Sequence, residues 1–169
     1  MSDHDASADT AGRGIGDDEL IKRATARGLR VLAAREYSRS ELTRKLTRQG
    51  VSAEQAAVVV ERLATSALQS DARFVESFVH SRIERGYGPV WIRQALLERG
   101  IASADVSTAL DQPRAFWVEQ GRRVLRKRFG PDSVPDDRSA WARMARFIAQ
   151  RGFPADVVAA ALAGADDSD

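Results

Sequence analysis

The sequence predicts an all-α fold: three tandem three-helix repeats forming an elongated, curved, solenoid-like chain. Three observations carry that prediction. Apolar residues return every three or four positions between serine, glycine and proline stops, the period of a helix buried on one face. No alternating run long enough for a strand appears. One phrase of two apolar residues, a glycine and a third apolar residue occurs three times along the 169 residues. A chain of this length buries roughly two thirds of its unfolded surface and can hold a core without staples.

Residues 1–16 read as a disordered acidic tail. Gly12, Gly14 and Gly16 imitate a dinucleotide loop, but no strand precedes them and such a loop needs a strand, a turn and a helix. A helix is expected from Asp18 to about Arg35, with Leu20, Ile21, Ala24, Leu29, Val31 and Leu32 as its apolar stripe. Ser38 and Glu41 form a capping box that opens a second helix to Gln49 with Leu42 and Leu46 inward, and Gly50 supplies its left-handed stop. Ser52 and Gln55 form another box, followed by a helix with Val58, Val59, Leu63 and Ala67 on a wide apolar face. Ser70 or Asp71 caps the next helix, whose stripe is Phe74, Val75, Phe78, Val79 and Ile83.

Gly86-Tyr87-Gly88-Pro89 ends that helix and starts another, with proline in its first turn. It carries Trp91, Ile92, Ala95 and Leu96 and stops at Gly100; Ser103 to Leu110 is a short helix after it. Pro113 opens a longer one with Phe116, Trp117, Gly121, Val124, Leu125 and Phe129. Beyond a loop at 130–136, helices near Asp137 to Arg151 and Pro154 to Leu162 bring the expected count to nine. Trp91, Trp117 and Trp141 sit at helical spacing among aliphatic residues and read as core.

The threefold phrase is Leu42, Leu46, Gly50, Val51, then Ile92, Leu96, Gly100, Ile101, then Met144, Ile148, Gly152, Phe153, with its glycines 50 and 52 residues apart. One helix precedes each copy and one follows it. The unit is therefore three helices, too small to bury its face alone, so neighbouring units share a core. The expected boundaries are 17–68, 69–112 and 113–163, with a second acidic tail at 164–169.

The formal charge of +2 hides an asymmetry. Residues 1–19 hold six acids against Arg13, and Asp166, Asp167 and Asp169 close the chain, which leaves residues 20–165 with 15 acids and 25 bases. A basic body suggests an anionic partner, although a single-sign excess also serves solubility. Of the bases, 23 are arginine, suited to planar contacts with phosphate or carboxylate. The lack of cysteine excludes disulfides, thiolate metal sites and cysteine nucleophiles. His4 and His80 are the only histidines, too few for a multi-histidine metal site, and His80 reads as a surface residue. No nucleophile is paired with a base and no glycine-rich loop precedes a lysine-serine pair, so neither catalysis nor a cofactor is expected. No apolar run approaches the roughly 20 residues of a membrane span, and the N-terminus has no secretory pattern; the expectation is a cytoplasmic monomer.

Two clusters could carry function. Arg122, Arg123, Arg126, Lys127 and Arg128 form the densest basic run, in which Arg122 and Arg126 stack one turn apart, as do Arg123 and Lys127. The stripe faces phosphate, an acidic protein patch or solvent alone. Arg82, Arg85, Arg93 and Arg99 surround the Gly86–Pro89 turn. Tyr87 is either a packing lid over that turn or an exposed stacking aromatic. Arg82, one turn from Phe78, borders the buried stripe and could snorkel and pair with Asp71 or Glu84.

Several stretches resemble the RecX family of bacterial recombinase regulators: Arg35 to Leu42, Ser70 to Phe74, Arg82 with Gly86 to Pro89, Ile92 to Gln94, Leu96 and Gly100-Ile101. The likeness spans roughly residues 25–162 and is most specific from Asp71 to Ile101. The last third is looser, keeping Lys127 to Gly130 and Arg151 to Phe153. The resemblance implies three-helix repeats that bind in the groove of the RecA filament on single-stranded DNA and inhibit its ATPase, strand exchange and coprotease activity. DNA contact would be direct or through RecA. From the residues alone, a free-standing DNA reader of helix-turn-helix type and a helical-repeat adaptor for another partner stay open.

Overall fold

A computed structural model of the chain describes residues 9–131, 135 and 137–163, with side chains from residue 16 onward. Among the described residues it contains nine helices and no strand: α1 Asp9–Leu32, α2 Arg39–Arg48, α3 Ala53–Thr65, α4 Asp71–Glu84, α5 Pro89–Leu97, α6 Ser103–Ala109, α7 Arg114–Phe129, α8 Arg138–Gln150 and α9 Ala155–Leu162. The chain divides into two compact units, residues 1–74 and 75–169.

In the first unit α1, α2 and α3 enclose Leu42, Leu46, Ala56, Val59 and Leu63, with Ile21 and Tyr37 packed at the margin. Hydroxyls set the helix entrances. Ser38 Oγ accepts the Glu41 amide at 3.1 Å and Ser52 Oγ the Gln55 amide at 3.2 Å, each satisfying a donor that the first helical turn leaves without a partner. Ser70 Oγ caps α4 through the Arg73 amide at 3.3 Å. Asp71 serves a different helix: its Oδ1 accepts the Arg39 amide in the first turn of α2 and the side-chain amide of buried Gln69, both at 2.8 Å. Arg73 braces the connector, pairing with Glu36 at 2.8 Å and donating to the carbonyls of Ala67 and Leu68.

The repeated phrase is a repeated helix stop. Gly50, Gly100 and Gly152 have φ of +86°, +78° and +87°. The amides of Val51, Ile101 and Phe153 donate back to the carbonyls of Leu46, Leu96 and Ile148 at 3.2, 3.2 and 3.3 Å, and all three residues are buried. This is the Schellman arrangement, in which a left-handed residue turns the chain and the next apolar side chain folds back on the helix.

In the second unit α5 packs on α6, and α7 and α8 pack on α9. The loop before α5 joins the loop after α8 backbone to backbone: the Gly88 amide donates to the Arg151 carbonyl at 2.8 Å and the Val90 amide to the Gly152 carbonyl at 3.0 Å. A Cβ on Gly88 would lie 2.5 Å from the Gly152 oxygen. Only a residue without a side chain permits this approach.

Several expectations are corrected. α1 starts at Asp9 rather than Asp18, so residues 9–16 of the expected tail are helical, Gly12, Gly14 and Gly16 included. Glycine weakens a helix by about 1 kcal/mol without removing an amide donor, and no proline occurs before Pro89. α1 also ends at Leu32 rather than near Arg35, whose guanidinium bonds the Glu36 carbonyl and Glu41. Leu20, Leu29 and Val58 are exposed, because each helix buries a narrower stripe than its apolar residues would cover. Ala67 lies beyond α3, exposed, at φ +56°. Trp141 is 43% exposed: it shares the stripe of Met144 and Ile148 but sits in the first turn of α8, where the cover has ended. Trp117 is buried, and Trp91 is half-buried. The expectations for residues 1–8, His4 among them, for 132–134 and 136 of the loop and for 164–169 fall outside the described residues.

Candidate functional site

The basic run on α7 is not a uniform stripe. Arg122 Nη2 donates to the Ala160 carbonyl at 3.3 Å, tying α7 to α9. Arg123 pairs with Glu84 at 3.2 Å and donates to the Ile83 carbonyl at 2.9 Å, tying α7 to the end of α4. Arg126 pairs with Glu119 on its own helix at 2.6 Å. Lys127 and Arg128 are exposed and make no ion pair among the described residues. The run thus divides into three arginines tied by hydrogen bonds or ion pairs and two exposed cations without an ion pair among the described residues, of which Arg128 lies over the Phe129 ring at 5.4 Å. Internal engagement of this kind cannot be read from helical spacing.

The cluster at the Gly86–Pro89 turn divides likewise. Arg93 donates to Ser107 Oγ at 3.1 Å and Arg99 to the Ala95 carbonyl at 2.6 Å. The Arg82 and Arg99 guanidiniums lie over the Phe78 ring at 4.6 and 4.8 Å, so Arg82 borders the buried stripe as its spacing implied. Tyr87 is half-buried and stacks on Trp91 with centroids 4.1 Å apart, the packing alternative of the two. Arg85 is exposed. His80 is exposed as well, and no group of residues that could hold a metal ion occurs among those described.

What the sequence concealed is that Arg85 of one cluster and Arg123, Lys127 and Arg128 of the other line one cleft of about 350 Å³. Its charged lining is Arg85, Arg123, Lys127, Arg128 and Arg151 against the single carboxylate Glu84, and its apolar wall includes Val124 and Phe147. Arg151 lies 66 residues from Arg85, yet its Nη1 donates to the Arg85 carbonyl at 3.1 Å. Its guanidinium stands over Phe147 at 4.9 Å and near Tyr87 at 5.7 Å. Arg151 and Phe147 were not among the expected site residues. The available signal was Arg151 beside the third repeat glycine, at the place where the second-repeat motif docks.

Three family models cover most of the chain: the first, second and third three-helix domains of RecX match residues 24–63, 70–110 and 118–162. The chain belongs to the RecX family. It is 45% identical to the regulatory protein RecX of Halorhodospira halophila over 141 residues, 83% of this chain and 87% of that one. It is 42% identical to the regulatory protein RecX of Pseudomonas putida over 153 residues, 90% and 96% of the two chains. The crystal structure of RecX from Lactobacillus salivarius superposes with a TM-score of 0.72 at 21% identity, over 86% of this chain and 96% of that one. A second RecX crystal structure gives 0.78 at 20% identity, over 97% and 82%. These two likenesses concern the fold. Membership makes the chain a RecX-type regulatory protein. No helix among the described residues is long and apolar enough to cross a membrane.

Proposed function

We propose that this chain binds the RecA filament on single-stranded DNA and lowers its ATPase, strand-exchange and coprotease activities, as a non-catalytic cytoplasmic monomer whose repeats span 17–68, 69–112 and 113–163. The observation that carries the reading, beyond family membership, is the cleft in which five cations face one carboxylate. Such an excess favours a polyanionic or acidic partner over solvent. Repeats laid along a filament would bridge successive subunits, exclude an incoming duplex and hinder the movements coupled to ATP hydrolysis. Arg85, Lys127 and Arg128 are the outward contacts in this reading, while Arg122, Arg123 and Arg126 hold α7 to its neighbours. The test is RecA ATPase on single-stranded DNA titrated with the chain. Saturable inhibition, weakened by Lys127→Ala with Arg128→Ala, is expected; ATPase unchanged at a several-fold excess over RecA overturns the reading.

A further inference from the structure

We propose that residues 66–73 form a strap that opens while the helices around it stay folded, releasing the entrance of α2, and that competition for the Arg73 guanidinium opens it.

Side-chain bonds hold the strap closed. Asp71 Oδ1 accepts the Arg39 amide at 2.8 Å, Gln69 Nε2 donates to the Tyr37 carbonyl at 3.1 Å, and Arg73 Nε donates to Glu36 at 2.8 Å. The last pair is part-exposed, with side chains 45% and 31% accessible, so salt screens it. Within residues 66–73 only Gln69 is buried, and Leu68 is 51% exposed. A segment that buries so little apolar surface loses little to water when it opens.

Two features bias it further toward opening. Closure orphans an acceptor: Gln69 is 2% exposed and its Oε1 has no hydrogen-bond partner among the described residues. Nε2 bonds two oxygens, so turning the amide over would set acceptor against acceptor twice. Water admitted by opening satisfies that oxygen. Closure also strains the backbone. α3 stops as the repeated phrase does, the Leu68 amide returning to the Leu63 carbonyl at 2.9 Å. The left-handed residue of this stop is Ala67 at φ +56°, where the repeated phrase has Gly50, Gly100 and Gly152. A Cβ is crowded in that conformation, and opening relieves it.

Arg73 is the latch. Its Nη1 and Nη2 hold the carbonyls of Ala67 and Leu68 at 3.1 and 3.2 Å while Nε holds Glu36. An anion that draws the guanidinium away removes all three bonds together. It therefore shifts the strap toward the open state by the difference in its affinity for the two states.

The experiment is NMR hydrogen exchange on the full chain, at urea concentrations below the unfolding transition. The Arg39 amide reports the strap because Asp71 is its acceptor; the Leu46 and Val59 amides, inside α2 and α3, report unfolding of the helices. Arg39 exchange is expected to stay nearly independent of urea while that of Leu46 and Val59 rises steeply. Sodium chloride raised from about 0.05 to about 0.5 M should speed Arg39 exchange about threefold. Glu36→Gln should speed it about threefold at low salt and abolish the salt response. Ala67→Gly should slow it about threefold, with circular dichroism reporting that each variant is folded. Arg39 exchange that follows Leu46 and Val59 through the urea series overturns the strap. So does exchange unchanged in Ala67→Gly, because fraying of α2 alone would not sense residue 67. A salt response kept in Glu36→Gln overturns the latch.

Discussion

Replacing Gly88 by alanine isolates the joint between the loop before α5 and the loop after α8. Gly88 has φ −91°, which alanine adopts freely, so the substitution adds a steric clash and no backbone strain. The new Cβ would lie 2.5, 2.6 and 2.7 Å from the oxygen and carbon of Gly152 and the nitrogen of Phe153. All three atoms are main chain and cannot swing aside, so the loops must separate. Separation breaks the 2.8 and 3.0 Å hydrogen bonds between them, at about 1 kcal/mol each, and adds about 1–3 kcal/mol for an overpacked site. The expected destabilisation is about 3–5 kcal/mol, which at a urea m-value of about 2 kcal/mol/M lowers the midpoint by about 1.5–2.5 M. Gly50→Ala is the matched control. At φ +86° with nothing within 4 Å of an added Cβ it brings strain and no clash, costing about 1–2 kcal/mol, a midpoint shift of about 0.5–1 M. Tryptophan fluorescence follows both transitions. A Gly88→Ala shift no larger than that of Gly50→Ala would refute the close-approach reasoning.

Three further outcomes are expected. Ala67→Gly relieves an alanine held at φ +56° and should raise stability by about 0.5–1 kcal/mol in the same assay, the relief exceeding the added freedom of the unfolded chain. Asp71→Ala removes the acceptor shared by the Arg39 amide and the buried Gln69 side chain and should cost about 2–3 kcal/mol, with Asp71→Asn recovering part of it by supplying one oxygen. At Asp156 the hydrogen bond from Arg114, with Nε 2.9 Å from Oδ2, lowers the carboxyl pKa below its ordinary range. The pair's contribution is therefore present above the ordinary carboxylate range and is lost as pH falls through the depressed value. NMR titration of Asp156 should move upward in Arg114→Ala.

The glycine stops were legible because the helix end is local: Gly50, Gly100 and Gly152 each need a positive φ, and each carries its apolar partner one residue on. The caps at Ser38 and Ser52 were legible for the same reason. Partnerships over long separations were not. Nothing near Asp71 in the chain indicates that its oxygen serves Arg39, 32 residues away, and nothing near Lys127 indicates that Arg151 lines the same cleft. Trp141 and Val58 show the related failure, since a stripe says which face turns inward and neither how far along the helix a neighbour reaches, as at Trp141, nor how wide the covered face is, as at Val58. The candidate site was accordingly visible as two groups of cations and invisible as one enclosure.

Through the second unit runs an alternation of guanidiniums and rings: Arg99 on Phe78, Arg82 between Phe78 and Trp91, Trp91 on Tyr87, and Arg151 between Tyr87 and Phe147. Arg82 and Arg151 are each mortar between two aromatic bricks, and Arg99 lies on one. An evolutionary drift from arginine to lysine would preserve the isoelectric point while dissolving that masonry, because an ammonium has no face to lay against a ring. In this chain arginine content measures architecture as much as charge.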